Sequence, residues 1–178
     1  RIEIDAGGQE VLERSAILIT PDWVEARLSV GLPAAGRRVL GPEAKELLLG
    51  RLPALVEQSL VFSNLPEAEI RQFIDAVENQ EAIRAQLRDR GLIAFVGDGS
   101  ILPRQDGASD LPLPGNRAVP FESPPEFSVR FEVPNAVDPA DASKKTVSGM
   151  GIPKGITLIV GGGYHGKSTL LRALERGI

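Results

Sequence analysis

The sequence predicts an α/β protein, on three observations. Short alternating runs open the chain, helix-length segments bounded by proline and glycine fill its middle, and near its end an apolar run passes through a glycine-rich turn into a helix. Composition agrees with one globular domain and part of a second: 178 residues, 42% hydrophobic and 25% charged, with no apolar run long enough to span a bilayer.

The first thirty residues have the pattern of a β-meander. "RIEID" is one strand, Gly7-Gly8 a turn, and "EVLERSAILIT" a second strand. After Pro21, "WVEARLSVGL" alternates Val24, Ala26, Leu28 and Val30 with Glu25, Arg27 and Ser29, the pattern of a strand with one wet face. Helices follow. Pro42 suits the first turn of "PEAKELLLG", which Gly50 closes, and Pro53 starts "PALVEQSLVF". A long helix then runs from Pro66 to a glycine cap at Gly91. Its apolar stripe of Ile70, Phe73, Ile74 and Val77 loses phase at Glu78 to Glu81, before Ile83 and Leu87. Either the helix bends there, its face changes packing partner, or the segment is a solvated patch.

"LIAFVGDGSILPR" is a buried strand ending in a Gly97-Asp98-Gly99 turn, whose Asp98, Ser100 and Arg104 are candidates for a ligand site. Proline, glycine and polar residues dominate 105–125, so the expected organisation is an α+β domain over 1–104, a linker over 105–125, and a second domain beginning at 126. "EFSVRFEV" is an alternating strand, "PNAVDPADASKK" a loop, and "TVSGMGIPKGITLIV" leads back into a sheet.

There are no cysteines, which excludes disulfides and thiolate metal sites, and the single histidine, His165, excludes a histidine-based zinc site. A net charge of −4 argues against a uniformly basic nucleic-acid binder and leaves a local basic strip open. The first residue is arginine with no signal-like segment after it, the mark of an excised or renumbered segment; a cytoplasmic location is the default expectation.

The strongest chemical signal is "VGGGYHGKSTLL", which fits G-x-x-x-x-G-K-[ST] with Gly161, Gly166, Lys167 and Ser168 at the fixed positions. Nucleotide phosphates crowd several negative charges together, and exposed backbone N–H groups with one mobile cation can surround them. Glycines admit the close approach, Lys167 meets the β- and γ-phosphates, and Ser168 ligates a Mg²⁺ bridging them. Thr169 opens the next helix, whose Leu170, Leu171 and Leu174 form an apolar face. Tyr164 and His165 are bulky for such a loop; either they touch phosphate or a partner, or they point outward and the backbone alone binds.

A strand, a "KG" pair, a second apolar strand and then G-K-S-T-L-L on a helix is similar to the opening of an ABC-type ATPase domain. "GMGIPKGITLIVGGGYHGKSTLLRALERGI" resembles the bacterial "predicted ATPase of the ABC class" family, and "GGQEVLER", "VEARLSVGLPAAGRRVLG", "ENQEAIRAQL" and "LIAFVGDGSILPR" resemble its N-terminal domain.

The resemblance implies ATP and Mg²⁺ as ligands, hydrolysis coupled to conformational change, and a homodimer formed through the ATPase domain. Its site residues would be Gly161, Gly162, Gly163, Tyr164, His165, Gly166, Lys167, Ser168 and Thr169, with Lys167 catalytic and Ser168 on the metal. It also implies that the signature motif, acidic strand and catalytic glutamate lie beyond Ile178, so that 126–178 begins an ATPase domain and this segment alone turns over no ATP. Asp98 is not expected to be the Mg²⁺-coordinating carboxylate, because its strand precedes the loop. The family's adenine-stacking aromatic is missing from "PADAS"; Phe121, Phe127 and Phe131 are the substitutes, or else core residues. Some relatives have been connected with RNA. The alternative reading is therefore a nucleic-acid-binding module with nucleotide as a conformational ligand, using Arg27, Arg37, Arg38, Arg84, Arg88 and Arg90.

Overall fold

The structure, a computed structural model, describes residues 1–5, 7, 14–106, 109 and 111–177. It is mixed α/β, with helices and small antiparallel sheets in two compact units that divide between Ile70 and Arg71.

In the first unit, strands β1 (Ile2–Ile4), β2 (Ile17–Ile19), β3 (Val24–Ala26) and β4 (Leu28–Val30) form two separate antiparallel pairs. β2 pairs with β3, and β1 reaches past them to pair Ile2 with Val30 of β4. The expected meander is therefore nested, and the expected strand 23–32 breaks at Arg27, whose N–H turns to Ala16 O at 2.8 Å. Gly8 and the first part of the expected second strand lie outside the described residues. A short pair follows, β5 (Ala34–Ala35) with β6 (Arg38–Val39).

The two helices expected to part at Gly50 are one continuous run. Helix α1 (Gly41–Glu46) passes through a π turn at Leu47–Arg51 into α2 (Leu52–Ser59). Leu52 N–H donates to Leu47 O, five residues back, and this wider turn accommodates Pro53, which lacks an N–H.

The second unit is built on helix α3 (Glu67–Leu87) and a three-stranded sheet of β7 (Leu92–Gly97), β8 (Ser128–Glu132) and β9 (Thr146–Pro153) in the order β7-β9-β8. The helix ends at Leu87, short of the expected cap; residues 88–91 form a turn that closes at Gly91 with φ +67°. The segment 105–125, expected as a linker between domains, instead runs within one unit, because β7 before it is hydrogen-bonded to β9 after it.

At the slip the α3 stripe passes from solvent to the sheet. Before it, Phe73, Ile74 and Val77 are exposed; after it, Ile83 is buried against the sheet. At the slip Asn79 is buried, and its amide accepts from Asn135 N–H at 2.9 Å and donates to Asn135 O at 3.2 Å. Glu78 accepts from the Asn135 side chain at 2.6 Å. A buried amide this fully paired adds specificity of placement without an unsatisfied polar atom.

Phe131, 0% exposed, is the centre of the core. Phe95 meets it edge-on at 4.9 Å, and the Arg90 guanidinium covers its ring at 4.3 Å while donating to Arg130 O at 2.6 Å. Beside β9 the backbones close so tightly at Gly149 that a methyl group there would lie 2.7 Å from Phe95 Cζ and 2.8 Å from Gly97 Cα, and would strike the Val96 carbonyl.

Gly149→Ala is expected to cost about 2 kcal/mol or more, since the collision is with backbone and no rotamer relieves it. Gly115→Ala, with nothing within 4 Å of the new methyl, should change stability by less than about 0.5 kcal/mol. Urea unfolding of both checks this; equal stability of the two variants would contradict the close approach.

Candidate phosphate-loop site

β9 ends at Pro153, and residues 154–166 carry the chain to helix α4 (Lys167–Arg176). "ITLIV", expected as a strand, forms no ladder among the described residues; Ile156 is 104% exposed and Leu158 83%. No described strand lies beside it to take its backbone groups, so sequence propensity alone does not make it a strand.

The loop turns into α4 through Gly166, whose φ of +76° sets it as the helix N-cap, and no side chain caps the helix. The first-turn N–H groups of α4 are thus left for a ligand or water. Lys167, the first helical residue, folds back over the loop. Its Nζ donates to Gly161 O at 2.8 Å and also to Gly162 O. An ammonium has three protons, so one remains for a third acceptor. Ser168 and Gly163 are exposed beside it, and Thr169 lies in the first turn of the helix.

Tyr164 and His165 part company. Tyr164 is 109% exposed at the apex of the loop, in the left-handed region with φ +62°, the one described non-glycine residue with positive φ. His165 is exposed as well, but its ring folds back over the loop, where Nδ1 accepts the Gly162 N–H at 3.2 Å.

In α4 the inward face is Leu170, Ala173 and Leu174; Leu171, expected with them, is 55% exposed. Ala173 and Leu174, with Ile83, Leu87 and Phe95, line a largely apolar cleft of about 450 Å³ between α4, α3 and β7. Ser100 borders this cleft, whereas Asp98 and Arg104 do not. Both carboxylate oxygens of Asp98 are taken by Ser123, from its N–H at 2.7 Å and its hydroxyl at 3.1 Å. That is a structural tie between the β7 turn and residues 121–123.

Of the three phenylalanines considered for base stacking, Phe131 is a core residue and has no face to offer. Phe121 is half-buried and bound through its backbone to Gly99 and Ser100, and Phe127 is exposed. Among the six candidate arginines, Arg27 pairs with Glu25 at 2.5 Å, Arg84 with Glu81 at 2.6 Å and with Gly177 O at 2.8 Å, and Arg90 serves the core. The Asn79–Asn135 tie was not foreseen, since two asparagines far apart in sequence carry no local signal of contact. Away from the loop, hydrogen bonds from the Ser143 side chain and then its backbone hold the Asp141 carboxyl below the usual carboxylate range.

No helix among the described residues is long and apolar enough to cross a membrane. Two family models match the chain. One, described as the P-loop domain of the ABC ATPase, matches residues 66–178, and one described as the ATPase of the ABC class N-terminal matches residues 1–63. A search of curated proteins returns no match.

Tyr164→Gly relieves a left-handed backbone and removes no contact seen in the fold, so stability should hold or rise by up to about 1 kcal/mol. Thermal unfolding checks it; a loss of similar size would mean that the ring has a partner.

Proposed function

The chain belongs to the ABC class of P-loop ATPases, and from that membership we propose that residues 161–169 bind ATP with Mg²⁺ and serve an ATPase that couples nucleotide binding and hydrolysis to conformational change. The observation that carries this reading is the fold-back of Lys167 over the Gly161 and Gly162 carbonyls, at the uncapped N-terminus of α4. The carbonyls hold the ammonium over the loop, and its remaining proton is available to a β- or γ-phosphate oxygen.

The residues present fit Mg²⁺ only as a nucleotide complex. No group of three or more histidine or acidic residues among those described could hold the ion, whereas the exposed Ser168 hydroxyl supplies one hard oxygen beside the phosphates. When bound there, the ion neutralises charge on the bridging phosphate oxygens. This chain's own groups position the phosphates and stabilise their charge: the α4 N–H groups, Lys167 and the glycine backbone of 161–163 and 166.

With Asp98 committed to Ser123, none of the assigned residues activates water. The reading is therefore that 161–169 binds nucleotide, that turnover requires a carboxylate from outside the assigned set, and that hydrolysis occurs at an interface between two copies, in the cytoplasm. The nucleic-acid alternative has less support, because Arg27, Arg84 and Arg90 are engaged within the protein. A salt titration of RNA binding separates the two, since phosphate contacts make affinity fall steeply with salt.

Lys167→Ala is expected to abolish ATP hydrolysis by the complete protein and weaken ATP binding by about tenfold to a hundredfold, the worth of one or two charge-assisted hydrogen bonds. Ser168→Ala should remove the Mg²⁺ enhancement of binding and leave metal-free ATP binding intact. Turnover and titration calorimetry check both, and unchanged values for Lys167→Ala would sink the assignment.

A further inference from the structure

The peptide unit joining Gly161 to Gly162 is held at both edges by side chains from later in the same loop. Its carbonyl, Gly161 O, accepts from Lys167 Nζ at 2.8 Å, and its N–H, on Gly162, donates to His165 Nδ1 at 3.2 Å. In a trans peptide these two groups point in opposite directions, so the two side chains grip opposite sides of one plane. The ring also lies flat against the glycines. A methyl group placed on Gly162 would sit 3.2 Å from His165 Cε1 and 3.4 Å from Nε2, and one on Gly161 would sit 3.5 Å from Nδ1.

The tautomer follows from the contact. A backbone N–H can only donate, so Nδ1 brings its lone pair and the ring proton resides on Nε2. Tyr164, in its left-handed conformation immediately before, reverses the chain so that the next side chain faces back along the loop. Its positive φ at a non-glycine position thus has a use.

We infer that His165 is a positioning residue of the nucleotide site: its Nδ1 locks the Gly161–Gly162 peptide so that Lys167 and the loop amides are aimed before nucleotide arrives. This rests on reading 161–169 as the nucleotide loop. Without the acceptor, the peptide can rotate about its flanking glycine bonds, and the Gly161 carbonyl no longer holds the lysine in place. Ordering the loop then becomes a cost of binding. The acceptor, and not the bulk of the ring, is the effective part.

Three substitutions separate these contributions. His165→Asn places Oδ1 where Nδ1 stands and keeps an acceptor; His165→Phe keeps a ring and has none; His165→Ala has neither. With ATP·Mg²⁺ as the probe in titration calorimetry on the full chain, Asn should bind within about twofold of the parent, while Phe and Ala bind about five- to tenfold more weakly, the worth of one hydrogen bond. Equal binding by all three and the parent, or Phe at parental affinity with Asn weakened, would overturn the inference. Thermal unfolding beside each titration shows whether a variant has failed to fold, and a folded Phe variant with weak binding keeps the test decisive. Lys167→Ala separates the two levels. If the parent binds ATP no better than Lys167→Ala, the nucleotide-loop reading itself fails; if only the parent binds and the His165 variants match it, the lock alone fails.

Discussion

The second unit depends on one close approach, that of the Val96 carbonyl to the Cα of Gly149. β9 is the central strand, with Gly97 opposite Gly149 on one side and Val129 opposite it on the other. A side chain at Gly149 would force β7 away, and with it the Phe95 ring that packs edge-on against Phe131. Phe131 in turn is where Ile83 of α3 and the Arg90 guanidinium meet the sheet. The strand whose position is set there is followed by residues 154–160, which form no ladder, and then by the phosphate loop.

Packing and polar pairing divide the work. Apolar burial around Phe131 supplies the non-directional attraction between α3 and the sheet, while Asn79 and Asn135 set the position along the helix at which the two meet. The helix stripe N-terminal to that point, with Phe73 71% exposed, contributes little to this core. The loop repeats the same logic on a smaller scale. A glycine backbone that could adopt many conformations is reduced to one by a lysine and a histidine reaching back to it.

What was legible in the sequence was what is decided locally. The spacing of Gly161, Gly166, Lys167 and Ser168 marked the loop; the glycine at 91 marked the turn after α3, though not the last residue of the helix; the alternation of 128–132 and the apolar run 92–97 marked two strands. Less visible was anything that depends on distant partners. That β7 lies beside β9 follows from contacts across more than fifty residues of chain, which periodicity does not report. A proline-rich stretch at 105–125 looks like a linker whether or not the strands on either side of it pair. The joining of α1 to α2 was hidden because Gly50 and Pro53 are local stop and start signals, which a π turn overrides. Ile156 to Val160 have strand propensity and no strand, since a strand needs a neighbour. At the site, the motif located the loop, but only the fold shows that the His165 ring bonds back to Gly162 while Tyr164 projects into solvent.

Nucleotide binding on the backbone of residues 161–169 can be read from the amide resonances of the isotope-labelled chain during titration with ATP·Mg²⁺. The largest shifts should fall on the Gly161 to Thr169 amides, Gly162 among them, with smaller changes along α4. Shifts centred instead on the cleft between α3, β7 and α4, or on the arginines of the first unit, with the loop amides unmoved, would contradict it.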